Sequence, residues 1–138
     1  MRPTVDSIVK SFQNSGKRHL LITGNRGIGK TTRFREIVTL FTDEKELPGI
    51  STYAVPGECV MLRENGTKVE QKIGEFSDAM SPVLKGFQEL GIPALKRAMD
   101  SDSEWVSIDE LGFLEADNKL FQDTVLKLFS TKRVLAVL

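Results

Sequence analysis

The sequence predicts an α/β fold, a three-layer arrangement with a mostly parallel central sheet and an added β-hairpin. Three observations predict it. Short apolar runs alternate with stretches of helical periodicity along the chain. A glycine-rich loop, Gly24-Asn25-Arg26-Gly27-Ile28-Gly29-Lys30-Thr31-Thr32, joins the first apolar run to a helix. A later apolar run, Trp105 to Ile108, ends in the acidic pair Asp109-Glu110. With 138 residues the chain reads as one domain over 1–138, in which 1–18 is a helical extension and 50–75 a strand and hairpin insertion.

The elements follow in order. Val5, Ile8, Val9 and Phe12 make one apolar helical face over Pro3 to Asn14, which Asn14-Ser15-Gly16 ends. Leu20 to Thr23 reads as a buried strand. Phe34, Ile37, Val38 and Phe41 fall at helical spacing over Lys30 to Phe41. Ile50 to Val55 is extended, and Pro56-Gly57 turns the chain. Asn65-Gly66 lies between extended segments Cys59–Leu62 and Lys68–Ile73 and predicts a hairpin, whose Arg63 and Lys68 read as solvated charges. Ser77 to Asp100 reads as helical, weakened by Pro82 and Gly86 and broken at Gly91-Ile92-Pro93. Phe121, Val125, Leu128 and Phe129 predict a helix over Asn118 to Ser130, and Val134 to Leu138 is a last apolar strand.

Composition narrows the function classes. The charge balances at 19 basic and 19 acidic residues, which makes a general nucleic-acid or anionic-membrane partner unlikely. No apolar run approaches membrane-span length, and the N-terminus lacks a signal-peptide core. The single cysteine, Cys59, excludes an internal disulfide and, with the glycine-rich loop, points to the cytoplasm. Cys59 and the single His19 have no paired nucleophile–base motif around them and read as structural.

The loop carries the first chemistry. Gly24, Gly29, Lys30 and Thr31 stand at the spacing of a phosphate-binding loop, which a random chain of this length would match about once in two hundred. To wrap a polyphosphate, successive backbone N–H groups must converge, and glycine permits the dihedrals and the close approach. The following helix aims its positive end at the same phosphates. Gly24, Asn25, Arg26, Gly27, Ile28, Gly29, Lys30, Thr31 and Thr32 are therefore the expected nucleotide-binding residues. Lys30 is expected on the β- and γ-phosphates and Thr31 on Mg²⁺. No arginine finger is assigned, and Arg26 is expected to face solvent.

The acidic pair carries the second. Carboxylates at the C-terminal end of a strand sit where parallel α/β sheets bind ligands. Asp109 is expected to hold Mg²⁺ and Glu110 to orient or deprotonate an attacking water. Ser107 interrupts the apolar run of this strand and is expected to be accommodated facing inward. The phosphate loop on the first strand is that of a P-loop NTPase, and Glu110 directly after Asp109 resembles the RecA-like branch, where the catalytic glutamate follows the metal-holding aspartate.

Four stretches resemble the small nucleoside triphosphatases known as the cancer-related or thermophile-type family. They are Ile22 to Thr32, Gly49-Ile50-Ser51-Thr52-Tyr53, Gly91-Ile92-Pro93-Ala94-Leu95-Lys96-Arg97-Ala98, and Ile108-Asp109-Glu110-Leu111-Gly112-Phe113-Leu114-Glu115. The last is the most telling, because the family typically has Asp-Glu, Ile or Leu, Gly, an apolar pair and Glu. The resemblance begins near residue 19. It implies slow, broad-specificity hydrolysis of ATP, GTP and other nucleoside triphosphates with Mg²⁺, with Lys30, Thr31, Asp109 and Glu110 in the roles above. It gives Glu115 no chemical role.

Two departures stand beside it. Cys59-Val60-Met61-Leu62 replaces much of the basic character that the family carries around the hairpin. Family members also continue past the strand matching Val134 to Leu138, usually with a further strand, so the chain reads as shortened. On that reading its terminal carboxylate would face the γ-phosphate, and Leu20–Thr23 would be a sheet edge open to a homo-oligomer or a partner chain. Two other functions stay open at this point. One is a kinase for a nucleotide or small molecule, its acceptor under the hairpin or the 77–99 segment. The other is a nucleotide-binding regulatory module without turnover. Base preference and physiological substrate are not legible.

Overall fold

The computed structural model describes residues 4–23, 30–40, 46–112 and 118–138, with the side chains of Lys30 and Thr31 outside that description. The elements are α1 (Val5–Ser15), β1 (Leu20–Ile22), α2 (Lys30–Val38), β2 (Gly49–Val55), β3 (Cys59–Glu64), β4 (Glu70–Phe76), β5 (Met80–Pro82), α3 (Leu84–Gly86), a π-helical turn (Phe87–Gly91), α4 (Ile92–Asp100), β6 (Trp105–Asp109), α5 (Lys119–Thr131) and β7 (Arg133–Val137). The strands form one seven-stranded sheet in the order β1-β7-β6-β2-β3-β4-β5. The half from β1 to β2 is parallel, and β3, β4 and β5 continue it antiparallel. The expected hairpin is thus the far half of the same sheet. The last strand lies between those bearing the loop and the acidic pair, as the RecA-like order requires, and β1 pairs with β7.

Two apolar layers hold the sheet. On one face, α1 and α2 pack Val9, Phe12, Phe34, Ile37 and Val38 against Trp105, Leu135 and Val137. Phe12 meets Trp105 edge-on at 5.7 Å, and the Arg133 guanidinium lies 4.3 Å from the Trp105 ring centre. On the other face, the α3–α4 run and α5 bury Phe87, Leu95, Phe121 and Leu128 over Ile50, Leu62, Val106 and Ile108. Each such side chain contributes roughly 1.5–3 kcal/mol of burial. All five residues of β6 are buried, because helices cover both faces of an inner parallel strand.

Local chemistry explains where the elements depart from expectation. Residues 80–82 form edge strand β5 on β4 and not a helix, with Met80 opposite Phe76. An edge tolerates Pro82, which has no N–H to donate. Gly91-Ile92-Pro93 does not break the helix. The Ile92 N–H donates to the Phe87 carbonyl in a wider turn placed just before Pro93. That widening accommodates a ring that would otherwise strike the carbonyl four residues back. Gly86 is required by contact, since a Cβ there would come within 2.0 Å of the Lys72 carbonyl oxygen. α2 ends at Val38, before the expected limit at Phe41, which lies outside the described residues.

His19 is structural, as its lack of catalytic partners suggests. Its Nδ1 accepts the Val134 N–H at 3.1 Å, and its ring lies edge-on to Phe129 at 4.7 Å. Burial first, then the nearby charges of Arg18 and Arg133, lowers its pKa and favours the neutral ring that this bond requires. No described helix is long and apolar enough to cross a membrane.

Candidate active site

β1 ends at Ile22 and α2 begins at Lys30, so the start of α2 lies beyond the C-terminal end of a parallel strand. This is the arrangement that directs helix N–H groups toward an anion. Gly24 to Gly29 and Glu115 lie outside the described residues, as do the side chains of Lys30 and Thr31, while Thr32 is exposed.

The acidic pair sits on the same rim of the sheet. β7 alone separates β6 from β1, which sets the two strand ends about 10 Å apart. Asp109 closes β6, with Val137 opposite on one side and Ser51 on the other, and is only 7% exposed. The next residues are fastened to both neighbouring strands. The Glu110 N–H donates to Thr52 Oγ1 at 3.2 Å, and the Leu111 N–H donates to the Val137 carbonyl at 2.8 Å. Thr52 therefore holds the backbone of Glu110 by its side chain, a role no local motif announced.

A polar network braces this rim from the hairpin. Asn65 donates from Nδ2 to Ser107 Oγ and to the Leu47 carbonyl, both at 3.0 Å, and its Oδ1 accepts from Ser51 Oγ at 2.6 Å. Its backbone N–H donates to the Gly49 carbonyl at 3.0 Å. Ser107 is accommodated because Asn65 reaches it across 42 residues of sequence. The expected hairpin forms, β3 pairing antiparallel with β4, but not through a two-residue turn. A type I′ turn needs positive φ at both central residues, and only Gly66 has it, so five residues join β3 to β4. Asn65 is occupied with the network.

Arg63 likewise is not a solvated charge. Its guanidinium forms a bidentate pair with Glu46, one bond at 2.9 Å, and donates to the Thr67 carbonyl at 3.0 Å. Arg63, bonded to it, holds the Glu46 carboxyl below the usual carboxylate range. Arg97 of α4 forms a second bidentate pair with Glu64, at 2.7 and 2.8 Å. Lys68 is exposed as expected.

Around these groups lies an open cleft of about 900 Å³. Asp109, Glu110, Ser51, Thr52 and Asn65 contribute its polar lining; Phe34 and Val38 of α2 line it on one face of the sheet, and Ala54, Val60, Phe76 and Met80 line it on the other, past the Pro56-Gly57 tip. Tyr53, also on the wall, donates its hydroxyl to Glu70 Oε2 at 2.8 Å.

The donor set suits one kind of metal. Among the described residues no three His, Cys, Asp or Glu side chains gather as a metal cage. Asp109 at the end of β6, with the hydroxyl of Thr31 expected beside it, fits Mg²⁺, an ion commonly held by one or two carboxylates together with substrate phosphate and water.

Comparison with known proteins adds to this geometry. The profile of a family described as NTPase matches residues 19–138. Nucleoside-triphosphatase THEP1 of Thermotoga maritima is 28% identical over 131 residues, covering 86% of this chain and 72% of that protein. Nucleoside-triphosphatase THEP1 of Thermotoga petrophila is 27% identical over 132 residues, covering 86% and 70%. The crystal structure of THEP1 from the hyperthermophile Aquifex aeolicus superposes with a TM-score of 0.69 at 26% identity, covering 86% of this chain and 75% of that one.

Proposed function

This chain belongs to the NTPase family, and on that premise we propose that it hydrolyses nucleoside triphosphates, ATP and GTP among them, to the diphosphate and phosphate with Mg²⁺. The observation that carries the proposal is Asp109-Glu110 at the C-terminal end of an inner parallel strand, on the rim where α2 begins. The names of the relatives support the same reaction.

The backbone N–H groups from Gly24 to Thr32 wrap the polyphosphate, and Lys30 offsets charge on the β- and γ-phosphates. Thr31 and Asp109 hold Mg²⁺, which when bound supplies positive charge to the triphosphate oxygens. Glu110 orients a water and takes its proton as the oxygen attacks the γ-phosphorus. The bridging oxygen to the β-phosphate leaves on the opposite side with the electron pair. Thr52 keeps Glu110 in place through the backbone. Most of the rate comes from holding these groups in register. We assign the protein to the cytoplasm, in keeping with its one free, buried cysteine.

Nucleotide binding and phosphate release, measured on one sample with ATP and with GTP, test the proposal. Both should be observed, and Lys30→Ala should lose triphosphate binding. Wild-type turnover in Lys30→Ala would contradict it.

A further inference from the structure

The hydrolytic reaction needs room for one water beside Glu110, and the cleft is far larger. We infer that its part beyond Glu110, walled by Thr52, Ala54, Val60, Phe76 and Met80, is a subsite for a nucleoside whose hydroxyl takes the place of water as phosphoryl acceptor. This rests on the reading of Glu110 given above.

The sheet register lays out the wall. Thr52, which bonds the Glu110 N–H, shares a face of β2 with Ala54. Ala54 lies opposite Val60 on β3, Val60 opposite Gly74 on β4, and Phe76 opposite Met80 on β5. An apolar floor therefore runs outward from Glu110, away from β1. Phe76 is 49% exposed along it, an aromatic ring left open to the cleft.

The reaction geometry decides which molecule that floor serves. Attacking and leaving oxygens lie on opposite sides of the γ-phosphorus. Glu110 marks the attacking side, so the diphosphate and its base lie on the other. The floor beyond Glu110 continues on the attacking side and faces whatever carries the nucleophile.

Charge and shape then narrow the class. Glu110, whose N–H bonds Thr52, stands at the inner end of this floor, and the Arg63 guanidinium is committed to Glu46 on the opposite face of the sheet. A nucleotide acceptor would bring its phosphate toward the Glu110 carboxylate with no free cation from Arg63 to offset it. A nucleoside is neutral, flat and apolar on its faces, and carries hydroxyls. Its base suits the Val60–Phe76–Met80 floor and its ribose the Thr52 end. In the transfer, the acceptor O–H proton goes to the Glu110 carboxylate and the new O–P bond forms. The bond to the bridging oxygen breaks, and the diphosphate leaves with its electrons.

The test incubates the full-length protein with Mg²⁺, γ-labelled ATP and, in turn, the four common ribonucleosides and four deoxyribonucleosides at millimolar concentration. Labelled nucleoside monophosphate should form with at least one, while labelled phosphate falls. Phe76→Ala, at an exposed position, should raise the KM for that nucleoside about five- to tenfold, with transfer expressed relative to each protein's own hydrolysis. Phosphate release that depends on Glu110, with no labelled nucleotide from any of the eight, overturns the acceptor subsite and leaves hydrolysis standing. Transfer with a KM unmoved by Phe76→Ala overturns the placement. Wild-type phosphate release from Glu110→Gln instead removes the reading beneath both.

Discussion

Asn65, in the loop between β3 and β4, donates a hydrogen bond from Nδ2 to Ser107 Oγ at 3.0 Å, two residues before Asp109 on β6. The tip of the antiparallel half of the sheet is thereby tied to the strand that presents the acidic pair. Asn65→Ala would leave the Ser107 and Ser51 hydroxyls and the Leu47 carbonyl without this partner in a partly buried site. A loss of roughly 2–3 kcal/mol in chemical denaturation is expected. A change below about 0.5 kcal/mol would show that the network does not brace the rim.

Gly49 begins β2 with φ +139°, and a Cβ there would meet the Ser107 carbonyl oxygen at 1.9 Å. Backbone cannot yield as a flexible side chain does. Gly49→Ala should destabilise the fold by at least about 3 kcal/mol, read as a lower denaturation midpoint or as failure to fold. A variant as stable as wild type would contradict the close approach of β2 to β6.

Thr52→Val keeps the shape of the side chain and removes the acceptor for the Glu110 N–H. The expected result is a fall in kcat of about tenfold at little-changed KM, because placement of Glu110 matters most in the transition state. The stability cost should stay near 1–2 kcal/mol. A loss confined to KM would place Thr52 on the nucleotide and not behind Glu110.

His19 gives the fold a pH dependence of definite sign. Its pKa is lowered in the folded protein from the ordinary 6.5, so below that pH the unfolded chain binds more protons. Stability present above pH 6.5 should decline as the pH falls through the interval down to the folded-state pKa. The Glu46 carboxyl, whose pKa is also lowered, withdraws its contribution only below its ordinary 4.5. Urea midpoints at pH 7.5 and 5.5 should differ for wild type and much less for His19→Asn, which keeps an acceptor but does not titrate. Equal pH dependence in the two proteins would assign the effect elsewhere.

Much of this organisation is legible in the sequence because its signals are local. The spacing of Phe34, Ile37 and Val38, the apolar run into Asp109-Glu110 and the last apolar strand each depend on neighbours a few residues away. The rest depends on partners far along the chain. Ser107 signals only that a buried hydroxyl needs a partner, and the partner, Asn65, carries the competing signature of a tight turn. Arg63 looks solvated until Glu46, 17 residues away, comes into reach. Thr52 looks like any β-branched strand residue until β6 lies beside it. Pro82 and Pro93 mark irregular backbone, but whether each becomes an edge strand or a widened helical turn is decided by β4 and by the helix that continues after it.

The central claim is that Glu110 activates water against a bound triphosphate, and Glu110→Gln tests it most directly. Phosphate release from ATP and GTP with Mg²⁺ should be followed in wild type and variant, with nucleotide binding measured on the same samples. The account predicts binding within about twofold of wild type and hydrolysis reduced by two to three orders of magnitude or more. Undiminished hydrolysis in Glu110→Gln would contradict it.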